Sequence, residues 1–117
     1  MKKETIRACS IWRALETVGD VAVLLIMERA FLGVRHFEEY VDQTALARSV
    51  VSNRLKKLVE ANCLSKQKMK HGRRFEYVLT AKGRELFDVA LMMLRWQHKW
   101  EPGKRQFQVE LFHQKSK

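Results

Sequence analysis

The chain has 117 residues, enough for one hydrophobic core and too few for two comfortable ones. Its 46% hydrophobic and 31% charged residues are those of a globular domain, and the longest apolar run, Val21 to Met27, is too short to span a bilayer. Its formal charge of +10 favours polyanionic partners, either nucleic acid or an anionic membrane surface.

That charge is unevenly spread. Residues 44–74 carry nine Lys and Arg against one acid, whereas residues 14–43 hold six acids against two bases. A surplus serving solubility alone would be dispersed; a basic block beside an acidic region makes a polarised molecule with one face for phosphates. The opening MKKETIRACSIWRA has basic residues but no apolar signal core, so a cytoplasmic location is expected.

Residues 10–18, SIWRALETV, place Ile11, Ala14, Leu15 and Val18 on one helical face, with Ser10 as N-cap and Gly19 as the stop. Asp20 is then positioned to cap VAVLLIMERAFL, whose first two turns are apolar nearly all round, the pattern of a helix buried on several sides; Gly33 ends it. A third helix over residues 36–43 turns Phe37, Tyr40 and Val41 inward and leaves Glu38 and Glu39 in water.

After a turn at Thr44 to Leu46, a helix is predicted from Ala47 to Asn62. Val51, Leu55 and Leu58 cluster on one side of it; Ser49, Asn53 and Lys56 fall opposite, flanked by Ser52 and Lys57. An ordinary solvated face mixes both signs of charge, and this one is small, polar and basic with almost no acid. Two short strands follow, Leu64 to Met69 and Arg74 to Leu79, joined through residues 70–73, where Gly72 can supply the positive φ of a hairpin turn.

Thr80 is a good N-cap for the last helix, residues 81–100, which Pro102 and Gly103 break. It carries two apolar stripes. Leu86, Val89, Ala90, Met93 and Trp100 form one, and Phe87, Leu91, Leu94 and His98 form the other, more than one small core can cover. The surplus points to a second copy of the chain. Residues 1–100 are therefore read as the domain, and residues 101–117, where Phe107, Val109 and Leu111 alternate, as a tail that is either strand or disordered.

This order of elements is that of a winged helix-turn-helix: mainly α, with a two-stranded hairpin wing and a long C-terminal dimerisation helix. Cys9 ahead of the first helix, R-H-F at 35–37, S-x-R-L-x-x-L at 52–58, E-Y-x-L-T-x-x-G at 76–83 and R-W at 95–96 together resemble the HxlR family of bacterial transcriptional regulators. Two positions depart from the family pattern: Ala47 stands where a polar helix cap is usual, and Cys63 where glycine is common.

The resemblance implies a homodimer that presents two recognition helices to a pseudo-palindromic operator on double-stranded DNA, with repression as the family-level expectation. Ser49, Ser52 and Asn53 are then placed for base edges, because Asn pairs bidentately with adenine and Ser accepts several bases. Arg48, Arg54, Lys56 and Lys57 suit phosphates. Lys70, His71, Arg73 and Arg74 at the wing tip would follow the backbone or enter the minor groove, although Arg74 is equally placed to pair with Glu76 or a nearby acid as a structural contact. Ile11, Trp12, Leu86, Val89, Ala90, Met93 and Trp96 are expected in the dimer interface.

The resemblance also implies a thiol switch at Cys9, where Arg7, Arg13 and a helix N-terminus would favour the thiolate; the competing reading is an inert cysteine packed between subunits. Cys63, at an expected core position, is read as structural. His36, His71, His98 and His113 show no ligand spacing, so neither a metal nor another cofactor is expected. Trp12, Trp96 and Trp100 with Met92 and Met93 could line an effector pocket, yet such stripes are more often core or dimer contacts, and no effector follows from them. No nucleophile paired with a base, no carboxylate pair and no Gly-rich phosphate loop supports an enzyme. Two rival readings remain: a protein-interaction module whose basic face docks an acidic partner, and a nonspecific nucleic-acid coat.

Overall fold

A computed structural model describes residues 2–72 and 74–101. The described elements are, in chain order, α1 (Lys3–Arg7), α2 (Ser10–Val18), α3 (Val21–Phe31), α4 (Phe37–Thr44), α5 (Arg48–Glu60), β1 (Leu64–Lys68), β2 (Phe75–Leu79) and α6 (Ala81–Trp100). The result is a mainly helical domain with a two-stranded antiparallel wing. Among the described residues no helix is long and apolar enough to cross a membrane.

The core forms around α3, whose Ala22, Val23, Ile26, Met27 and Ala30 recur at helical spacing and are all buried. Tyr40 of α4, Val51, Leu55 and Leu58 of α5, and Cys63 and Leu64 at the start of β1 complete it. Tyr40 is fully enclosed, and its hydroxyl donates to the Val34 carbonyl at 2.8 Å, so the one polar atom of this ring is satisfied. Burial pushes its phenol far above the ordinary tyrosine range.

Helices α4 and α5 are joined through Ala45, Leu46 and Ala47, the tight connection of a helix-turn-helix. Ala45 takes the left-handed conformation at φ 59°. Thr44 secures the turn, its hydroxyl donating to the Tyr40 carbonyl at 2.6 Å and accepting from the Leu46 N–H at 3.3 Å.

In the wing, Leu64 pairs with Leu79 and Lys68 with Phe75, so the Leu end enters the core and the other end projects into solvent. Gly72 provides the positive φ of 91° at the tip. The Tyr77 N–H donates to the Arg35 carbonyl at 2.8 Å, tying the wing to the segment before α4. Helix α6 begins with a true cap: Thr80 Oγ1 accepts from the Gly83 N–H at 3.0 Å and donates to the Asn62 carbonyl at 2.5 Å. Lys82 Nζ donates to the Ala61 carbonyl at 2.8 Å, so the start of α6 is clamped to the corner between α5 and β1.

Several sequence expectations need correction. Helix α1 has no counterpart in the sequence reading. Ser10 is the first residue of α2 rather than its cap, and Cys9 takes the N-cap position. Gly19 does end α2, as its C-cap, with φ −82° and its N–H donating to the Leu15 carbonyl. Asp20 occupies the N-cap position of α3, but the Ala22 N–H only faces its carboxylate without a capping bond of normal geometry, and the carboxylate pairs with Arg54. Helix α5 runs from Arg48 to Glu60, shorter than predicted at both ends, and each strand is one residue shorter than predicted. Helix α3 is buried on several sides as expected, with Val21 at its start left largely exposed, at 73%. The expected alternation at Phe107, Val109 and Leu111 lies outside the described residues.

Candidate nucleic-acid interface

On α5 the periodicity that buries Val51, Leu55 and Leu58 leaves Ser49, Ser52, Asn53 and Lys56 exposed. These four stand at i, i+3, i+4 and i+7, a continuous stripe of two hydroxyls, an amide and an ammonium. Such a surface offers donors and acceptors within reach of base edges and no carboxylate to repel phosphates.

The arginines of α5 are already engaged. Arg48 makes a bidentate pair with Glu38 of α4, at 2.6 and 2.8 Å, and its guanidinium lies 5.2 Å from the centre of the Phe37 ring. The guanidinium holds the Glu38 carboxyl below its usual range. Both side chains are more than half exposed, so this contact orients the start of α5 more than it stabilises the fold. Arg54 is turned back along the helix: its Nε donates to Asp20, and its other guanidinium branch donates to Asn53 Oδ1 at 2.8 Å. That pairing lowers the Asp20 pKa. Lys57 is partly sheltered near the same carboxylate, while Lys56 projects freely into solvent.

Lys70, His71 and Arg74 are exposed at the wing tip; Arg73 lies outside the described residues. Arg74 does not pair with Glu76, whose carboxylate instead accepts from Arg35 at 3.4 Å, a partner brought close by the Tyr77–Arg35 backbone bond. Lys66 and Lys68 also stand on the wing, exposed beside the predicted tip residues. Their place in the basic block is the sequence signal for them. Lys66 Nζ sits 4.6 Å from the Phe75 ring centre and 5.9 Å from that of Tyr77. The stripe of α5 and the basic wing follow one another in the fold, with α4 packed on α5 and the segment before α4 tied to the wing.

A family model for the HxlR-like helix-turn-helix matches residues 17–105. The chain belongs to this family. It is 34% identical over 105 residues to HTH-type transcriptional regulators of Mycobacterium tuberculosis H37Rv and Mycobacterium bovis, a match covering 89% of this chain and 66% of each relative. This chain therefore spans just under two thirds of those regulators. Among solved structures, PA1607, a candidate transcription factor, superposes with a TM-score of 0.78 at 31% identity, covering 84% of this chain and 70% of that one. The reduced form of the transcriptional regulator YodB from Bacillus subtilis superposes with a TM-score of 0.70 at 25% identity, covering 82% and 98%. These relatives and neighbours are named as transcriptional regulators or transcription factors, not as enzymes.

Of the two cysteines, both free thiols, Cys9 is exposed and Cys63 is buried. The Cys9 sulfur makes no capping bond of normal geometry, yet the N–H groups of Trp12 and Ile11 at the start of α2 face it and lower its pKa. Arg7 and Arg13 are not the cause. Burial pushes the Cys63 thiol the opposite way. A short pulse of iodoacetamide at near-neutral pH should therefore label Cys9 and leave Cys63 untouched, as read by mass spectrometry of the folded protein. Equal labelling of both, or none at Cys9, would contradict this assignment.

Helix α2 buries only Val18. Its apolar residues Ile11, Trp12 and Leu15 are exposed, as are Val89, Met92, Met93, Trp96 and Trp100 of α6. Of the residues predicted for the dimer interface, Leu86 packs on the core and Ala90 is half-buried. Between α3 and α6 runs an apolar groove of about 900 Å³, lined by Val21, Leu24, Leu25, Met93 and Trp96 among others.

Proposed function

We propose that this protein is a sequence-specific transcriptional regulator that binds double-stranded DNA as a homodimer. The observation that carries the reading is the acid-free stripe Ser49–Ser52–Asn53–Lys56, exposed on the second helix of a helix-turn-helix and followed by a basic wing. Helix α5 enters the major groove, where Ser49, Ser52 and Asn53 meet base edges. Lys56, Lys57 and the wing residues Lys68, Lys70, His71, Arg73 and Arg74 follow phosphates.

The homodimer places two such helices on a pseudo-palindromic site. Its support is α2, an amphipathic helix whose apolar stripe of Ile11, Trp12 and Leu15 faces water in the single chain, beside the exposed apolar residues and groove of α6. A second copy supplies the complementary surface by two-fold symmetry. Cys9, exposed at the start of that same helix, is positioned as a thiol sensor whose modification alters the dimer and hence DNA affinity. The similar regulator YodB, solved in a reduced form, supports this reading. Repression is the expected direction, in the cytoplasm.

Selection of bound sequences from a randomised duplex, followed by fluorescence anisotropy at near-physiological salt, tests the proposal. A selected site should bind about a thousandfold more tightly than random duplex, or better. Asn53→Ala should cost about 1–3 kcal/mol on that site while hardly affecting random DNA. Lys56→Ala should weaken both alike and reduce the salt slope by about one. Equal affinity for all duplexes would make the protein a nonspecific coat, and no binding to DNA would leave the basic face to a protein partner.

A further inference from the structure

We infer that Asp20, remote from the DNA-facing stripe in sequence, is a positioning residue for base recognition, because it holds Arg54, and Arg54 in turn holds the amide of Asn53. The inference rests on the DNA-reading role of Asn53 proposed above.

Three observations carry it. Asp20 sits at the N-cap position of α3, where a carboxylate ordinarily accepts from the helix's own N–H groups. It makes no capping bond of normal geometry, with only the Ala22 N–H facing it, and its carboxylate accepts from Arg54 Nε across 34 residues of sequence. The pair is partly sheltered, with side chains 30% and 32% exposed, so it is less screened than the open Arg48–Glu38 pair. Finally, the free branch of the same guanidinium donates to Asn53 Oδ1 at 2.8 Å.

This last contact determines which way the amide faces. A guanidinium only donates, so the group turned toward Arg54 must be the amide oxygen and not the nitrogen. The nitrogen is left with both of its donors outward, and the oxygen retains a second lone pair. An Asn held this way presents a donor and an acceptor together, the combination that meets an adenine edge in the major groove. Without Arg54 the amide rotates freely and must be ordered on binding; without Asp20, Arg54 itself has no anchor. The planar fork of arginine is what lets one side chain hold both groups.

Releasing Arg54 has a second consequence. In Asp20→Asn the guanidinium becomes available to a DNA phosphate, so affinity for random duplex should rise severalfold and the salt slope should steepen by about one. Preference for the selected site over random duplex should fall about tenfold, concentrated at the base pair that Asn53→Ala also relaxes. Placed in the Asn53→Ala background, Asp20→Asn should steepen the salt slope again but cause no further loss at that base pair. A merely structural role for Asp20 would lower both affinities together and leave the base preferences and the slope unchanged.

The experiment is selection from a randomised duplex with the full chain, Asp20→Asn, Asn53→Ala and the double variant, each followed by anisotropy against salt. If Asn53→Ala leaves every base preference intact, the underlying reading fails. If Asn53→Ala relaxes one position while Asp20→Asn reads DNA like the parent, the inference about Asp20 fails alone.

Discussion

Gly83→Ala should destabilise the domain by about 2–3 kcal/mol, although the same change at an ordinary helix position is stabilising by roughly 0.5–1 kcal/mol. Gly83 is buried in the first turn of α6, packed against the corner where α5 hands over to β1. A Cβ there would run into the Cys63 carbonyl group, with its carbonyl carbon at 2.9 Å and its Cα at 3.3 Å. The obstacle is backbone, which cannot rotate away as a side-chain end could. That backbone is itself fixed by the Thr80 hydroxyl and by the Lys82 bond to Ala61, so relief requires moving the whole helix start. A fall of about 1–2 M in the urea midpoint, followed by far-UV circular dichroism, is the expected result. A midpoint at or above that of the parent would mean that α6 does not approach Cys63 so closely.

Trp96→Glu should convert a two-chain species at micromolar concentration into single chains and reduce affinity for a two-half-site duplex by at least about 100-fold. Trp96 is 64% exposed in the single chain, so the substitution leaves the core untouched, and circular dichroism should show the parent's fold. In the proposed dimer the same position would be covered, where a carboxylate buried without a partner is costly. Sedimentation velocity of parent and variant decides the matter. A parent that sediments as a single chain, or a variant that remains paired, would remove the homodimer from the proposal and leave the exposed residues of α2 and α6 to another partner.

Much of the fold was legible because it is periodic. The order of α2 to α6 and the wing, the inward faces of α3 and α5, and the exposed stripe of Ser49, Ser52, Asn53 and Lys56 follow from which residues share a face at 100° per residue. Gly33 and Gly72 were readable as turn positions, and both carry positive φ. Local chemistry likewise identified Thr80 as the cap of α6.

The sequence by itself determined which side chains lie together on one element, and so the acid-free polar stripe of α5 and the concentration of positive charge around it. Only the tertiary structure decided what each face meets. Both stripes of α6 look equally apolar in sequence, but Leu91 and Leu94 of one are buried against the protein's own core and Met93 and Trp100 of the other are left in water. Asp20 reads as a helix cap and Arg54 as a phosphate contact; in the fold they bind each other. Glu76 could have paired with Arg74, but the wing brings it to Arg35. The physical reason is the same in each case: periodicity is a property of neighbouring residues, whereas the partner of a carboxylate or an apolar stripe is set by packing between segments tens of residues apart.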